Sequence, residues 1–226
     1  ELPMYCLITE HFFEMMTLKQ YIISNKLNEI TWKVLFFQVL FSLYKLSERF
    51  ENFRHNKLNL DAVKIYTKDP NKTDVTFYKV GDIKYSIPNV GLEIKISDYD
   101  FATTNDYLEN ISSGTKIDNP YYDIHYFFNS LYLFITDNNI DMPNSIRDFM
   151  RFILPSQYMI KDLHKPFLGL DENQYNLSNN QFIPIMILKK NNFFKEFISN
   201  DKIDKSDLIN NPINNKLNGG SILMSP

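Results

Sequence analysis

Residues 29–50 constrain this chain more than any other stretch. Trp32, Leu35, Phe36, Val39, Leu40, Leu43 and Leu46 recur at three- and four-residue spacing, the period of one face of an α-helix. Phe37 and Phe41 widen that stripe until most of the helix surface is apolar. Such a helix must be enclosed, so the rest of the chain has to supply layers around it. With 226 residues, 44% of them apolar, the chain can bury one sizeable core but hardly two.

The flanking segments supply candidates for those layers. Residues 3–13 read as a buried strand, and Thr17 can cap a short helix over 18–25. Short strands are expected over 62–66, 75–80, 84–87 and 92–97, with Gly81-Asp82 as a hairpin turn. An apolar helix should run from Asn119-Pro120 to about residue 135, and another over 145–153 with Arg147 and Arg151 on one side. Met15-Met16 reads as loop packing. From Asp171 onward Asn, Ser and Lys take over, with one helical patch over 182–197 and then a polar, Asn-rich tail. The expected fold class is α+β, mainly helical, with short antiparallel strands. Two regions are expected: 1–170, and 171–226 with the helical patch and tail.

Composition narrows the function. A net charge of −3 gives no sign of a nucleic-acid binder, and Lys189-Lys190 reads as a solvated surface. The lone Cys6 lies in an apolar run and reads as a buried thiol; no intrachain disulfide can form. His11, His125 and His164 are scattered, without zinc-ligand spacing. No apolar run reaches the roughly 20 residues of a membrane span, and no signal peptide opens the sequence.

The informative residues follow the long helix. Arg54-His55-Asn56-Lys57-Leu58-Asn59-Leu60-Asp61-Ala62 precede a strand, and Lys95-Ile96-Ser97-Asp98-Tyr99-Asp100-Phe101 close a later one. Asn119-Pro120-Tyr121-Tyr122-Asp123 then opens the apolar helix. This order resembles protein kinases from the hinge onward. It is most similar to the kinase-like proteins of large nucleocytoplasmic DNA viruses, and more distantly to haspin kinases. In those viral proteins the loop typically reads R-H-N-D-L-H-x-x-N, and a Pro-x-x-Gly strand, here Pro88 to Gly91, leads into K-I-x-D-F-D-F. The likeness covers about residues 4 to 165.

The resemblance implies a kinase-like large lobe, with the small lobe outside this sequence; the chain begins at Glu1 and not at a methionine. It implies that Thr9-Glu10-His11-Phe12 is the hinge, with Thr9 as gatekeeper and Glu10 and Phe12 touching adenine through backbone atoms. It makes Asp98 the magnesium-binding Asp, Asp123 a buried brace for the loop backbone, and His55 a packed scaffold histidine. Lys57 then stands where the catalytic Asp belongs, and Ala62 where the metal-binding Asn belongs.

An ammonium cannot accept the proton of a substrate hydroxyl, and Ala62 offers no oxygen to a metal. Asp61 could substitute if the loop slipped, although neighbouring side chains usually point apart. Asp98 could equally cap the turn that follows it, and Tyr99 and Phe101 read as core. Lys64 falls where kinases usually place an aliphatic residue under adenine. The leading expectation is a pseudokinase that acts by binding a protein partner, as a regulatory or structural component of a virus particle, in the virion or host cytoplasm. The rival is an active atypical Ser/Thr kinase, and only that reading brings in ATP and magnesium. A chance likeness on an unrelated α+β domain is the third possibility.

Overall fold

The computed structural model describes residues 15–72, 74–104, 121–156, 159 and 182–199. Strand β1 (Met16–Thr17) leads directly into α1 (Leu18–Ser24). Thr17 Oγ1 accepts the Gln20 amide at 3.1 Å while the Gln20 side chain accepts the Thr17 amide at 2.9 Å, a reciprocal cap that fixes where the helix starts. Met16 is therefore not loop packing, as its sequence suggested; it pairs in register with Ile65.

The enclosed helix is α2 (Glu29–Arg49). Asn28 Oδ1 accepts the Thr31 amide at 2.9 Å, and Glu29 and Arg49 sit at the ends where the helix dipole favours their charges. Trp32, Val34, Leu35, Phe36, Phe37, Val39 and Leu40 are all buried, so the helix is surrounded and not merely amphipathic. Removing one of its buried phenyl rings would cost about 3–5 kcal/mol.

Two small antiparallel sheets provide part of the enclosure. Strands β2 (Val63–Thr67), β3 (Val75–Val80), β4 (Ile83–Pro88) and β5 (Leu92–Ile96) follow in sequence. One sheet runs β1-β2-β5, with Val63 opposite Ile96 and Ile65 opposite Ile94. Gln38 of α2 is buried, and its Oε1 accepts the Ile94 amide at 2.8 Å, which locks the helix to β5. The other sheet is the β3-β4 hairpin, closed at Gly81 with φ +59°. Tyr78 and Tyr85 of that hairpin pack against Phe37 and Phe41.

Helices α3 (Tyr122–Asp137), α4 (Asn144–Ile153) and α5 (Pro184–Lys190) cover the remaining sides. Arg147 and Arg151 of α4 pair with Asp141 and Asp148. The expected single helix over 182–197 is in fact two elements. Asn191 is extended and caps a 3₁₀ turn, Asn192–Phe197, by accepting the Phe193 amide at 2.9 Å. Phe193 stacks on Phe149 with centroids 3.9 Å apart, and Phe194 is fully buried against Phe37. Lys189 pairs with Asp82. Mixed helices and small antiparallel sheets make this an α+β arrangement. No helix among the described residues is long and apolar enough to cross a membrane.

Candidate functional site

The residues singled out between Arg54 and Asp123 meet where α2 ends, at the base of the three-stranded sheet. Arg54 and Thr103 exchange backbone hydrogen bonds of 2.9 and 2.8 Å, which pins the start of the loop to the segment after Phe101. Asp123, in the first turn of α3, then accepts two consecutive loop amides. The His55 amide reaches Oδ2 at 2.7 Å and the Asn56 amide reaches Oδ1 at 2.9 Å. Burial pushes the Asp123 carboxyl above its ordinary range, against those amides, His55 and Arg54, which all favour the charged form.

His55 is 0% exposed. Its Nε2 lies 2.7 Å from the Ser97 carbonyl oxygen, which can only accept, so Nε2 carries a proton. Nδ1 is then left to accept the Lys57 amide at 3.3 Å. One histidine thereby joins the loop to the residue before Asp98. Asn56 adopts φ +65°, a conformation Asn tolerates better than most residues. Its Nδ2 donates to the Phe101 carbonyl at 2.8 Å and to Thr103 Oγ1 at 3.0 Å. Further along, Asn59 Oδ1 accepts the Asp61 and Ala62 amides at 3.0 and 2.9 Å. The Ala62 carbonyl accepts both the amide and the hydroxyl of Ser97, at 2.9 and 3.1 Å.

The positions expected to carry chemistry are held differently. Lys57 is exposed, with Nζ 5.0 Å from the centre of the Phe101 ring. Asp61 is exposed and Ala62 is 2% exposed. Asp98 has φ +64° and precedes the 3₁₀ turn Tyr99–Phe101 without a side-chain capping bond, so capping does not account for it. Its Oδ2 lies 3.8 Å from Lys64 Nζ, and that ammonium donates to the Asp61 carbonyl oxygen at 2.7 Å.

Tyr99 and Phe101 correct the expectation that they are core: they are 44% and 38% exposed. Tyr99 does lie against His55, with ring centres 5.1 Å apart. Glu10 and Phe12, with the rest of the expected hinge, lie outside the described residues, as do Cys6, His11 and His164. His125 is buried in α3 beside Tyr121. A cavity of about 300 Å³ lined by Leu43, Phe53, Arg54, Asp123 and Pro184 does not include Lys57, Asp61 or Asp98.

Sequence reasoning missed Asn56, Asn59 and Gln38. For the two asparagines the available signal was residue type, since Asn favours both left-handed backbone and local side-chain turns. Gln38 gave a sharper one, a lone polar residue within the apolar run 34–41.

Magnesium is usually held by one or two carboxylates, with waters and substrate phosphates filling the rest of a near-octahedral set. Lys57 and Ala62 supply none, and the Ala62 carbonyl is already engaged by Ser97. The Asp61 carbonyl and the Asp98 carboxylate both face Lys64 Nζ. Among the described residues, no group of three or more His, Cys, Asp or Glu side chains could hold a metal ion. Of the expected ligand positions Asp98 alone offers a side-chain oxygen, and with an ammonium 3.8 Å from that carboxylate the set is a poor fit for that ion.

No family model matches the chain. A protein of Acanthamoeba polyphaga mimivirus named "Putative serine/threonine-protein kinase" is 35% identical over 144 residues, covering 57% of this chain and 31% of that protein. An "Uncharacterized protein" of the same virus is 24% identical over 205 residues, covering 88% of this chain and 24% of that protein. The chain thus spans less than a third of the length of these relatives. The first similarity supports a kinase-like relation, and both support a viral origin.

Proposed function

We propose that this chain is the large lobe of a degenerate protein kinase, a pseudokinase that works by binding a protein partner. The observation that carries the reading is Lys57. On the kinase alignment it stands where the proton acceptor belongs, and its ammonium lies over the Phe101 ring. A protonated amine cannot take the substrate hydroxyl proton, so the step that activates the nucleophile has no base at that position. Around Lys57, Asp123 and His55 tie the loop to α3 and to Ser97 after β5, which supports a frame kept without its chemistry. A loop that keeps its frame after losing its chemistry suits a protein used for its shape. The role we propose is regulatory or structural, within a large DNA virus particle or the cytoplasm of its host.

The rival, an active atypical Ser/Thr kinase using Asp61 or Asp98, draws on the name of the mimivirus relative and on the exposure of both carboxylates. Phosphate transfer from radiolabelled ATP separates the two, measured on the full-length protein with magnesium or manganese and beside Asp98→Ala. The pseudokinase reading expects both proteins to stay at the blank. Transfer by the native protein that disappears in Asp98→Ala overturns it.

A further inference from the structure

We infer that the Lys64 ammonium takes the place of a divalent metal ion beside Asp98, so that this site carries its own tethered cation and takes up no metal. The inference gives the pseudokinase reading a physical basis at a second position, and it rests on that reading for its meaning. Its evidence lies in a different residue.

Lys64 is on β2, paired with Lys95 of β5, and the strand that ends at Ile96 delivers Asp98 two residues later. Lys64 Nζ donates to the Asp61 carbonyl at 2.7 Å and lies 3.8 Å from Asp98 Oδ2. These are one main-chain carbonyl from the 54–62 loop and one carboxylate from the segment after β5. They are oxygen ligands of the kind a hard divalent cation would gather from two sides. Here an amine gathers them. An ammonium tethered on β2 also stays at the site whatever the metal concentration, and it donates a directional hydrogen bond to the Asp61 carbonyl.

The neighbours reinforce the substitution. Ala62 brings no oxygen on its side chain, and its carbonyl is held by Ser97. Asp98 makes no capping bond that would otherwise explain its left-handed backbone. A divalent ion approaching Asp98 would therefore meet one carboxylate already facing a cation, and too few other ligands.

Terbium luminescence tests this on the full-length protein, because Tyr99, the next residue in the chain, is exposed and can sensitise an ion bound at Asp98. Emission lost on Asp98→Asn reports the site, and emission that survives that change is surface background. The native protein should show no such Asp98-dependent signal. Lys64→Met should gain one, roughly tenfold or more above the Asp98→Asn background, because a unit charge about 4 Å away has been removed. Lys64→Met with Asp98→Asn should return it to background. Lys64→Gln, which keeps a polar side chain on β2, serves as the second variant, with circular dichroism checking the fold of each. Asp98-dependent emission in the native protein equal to that of Lys64→Met overturns the inference, as does a failure of both lysine variants to gain it. Phosphate transfer is read in a separate assay, so a failure of the metal inference and a failure of the pseudokinase reading are told apart.

Discussion

The inner and outer sides of the 54–62 loop are held by opposite means. Inside, His55, Asn56 and Ala62 are buried, and hydrogen bonds tie them to other elements: Asp123 of α3, Ser97 after β5, Phe101 and Thr103 beyond it. Outside, Lys57 and Asp61 are exposed, and the described side-chain contact of Lys57 is with the Phe101 ring. Buried polar groups leave a large penalty when a partner is removed, whereas exposed charges are screened and interchangeable at little cost. The inner side therefore resists change, while the outer side can lose a reaction without losing the fold. On the proposed pseudokinase reading, that asymmetry is what lets a kinase-like frame persist without a proton acceptor.

The inner side should give the largest effect. Asp123→Ala strands the His55 and Asn56 amides, at about 1–3 kcal/mol each, so a loss of about 4 kcal/mol is expected in urea unfolding. A loss below 1 kcal/mol would break the contrast. The same carboxyl carries a pH signature. Burial raises its folded pKa above the unfolded value, so the folded state holds the proton to higher pH. The stability it contributes is full below about pH 4 and is lost as pH rises through the raised folded value. The melting-temperature gap between native protein and Asp123→Asn should therefore shift against the native protein over that interval. A gap that stays flat would mean the carboxyl is not raised.

Ala62 lies between the two sides: on the kinase alignment it belongs to the chemistry, yet it is buried. Ala62→Asn must fit a polar side chain into a site 2% exposed, and overpacking of this kind costs about 1–3 kcal/mol. Restoring the loop with Lys57→Asp and Ala62→Asn together should then lower the unfolding midpoint, most of it from the second change. An unchanged midpoint for Ala62→Asn would show that the loop still has room for a metal-binding side chain.

Much of this was legible in the sequence because it repeats with a period or sits at a turn. The α2 stripe, the Thr17 cap and the Gly81-Asp82 hairpin each follow from local spacing or residue type. The order from Arg54 to Asp123 pointed to the residues that now meet, although no single triplet did. What escaped depends on distance along the chain. The break at Asn191 arises from a side chain accepting its own neighbour's amide in competition with helix continuation. The exposure of Tyr99 and Phe101 is set by what packs over them, since an aromatic residue reads the same in either place. Lys64 could be flagged as odd on its strand, but its meeting with Asp98 required the β2-β5 register.

The smallest expected effect lies on the outer side and tests whether the loop depends on its lysine at all. Lys57 Nζ sits 5.0 Å from the Phe101 ring centre, and an exposed contact of that kind is worth about 0.5–1 kcal/mol. Its amide bond to His55 Nδ1 belongs to the backbone and survives substitution. Lys57→Ala should therefore leave urea stability within about 1 kcal/mol of native, several-fold less than Asp123→Ala. Near-equality of the two losses would mean that Lys57 holds the loop together, and the position would then have been kept as an amine for folding and not vacated by chemistry. A small loss leaves the amine as a residue the fold tolerates, on the side of the loop where the fold does not depend on it.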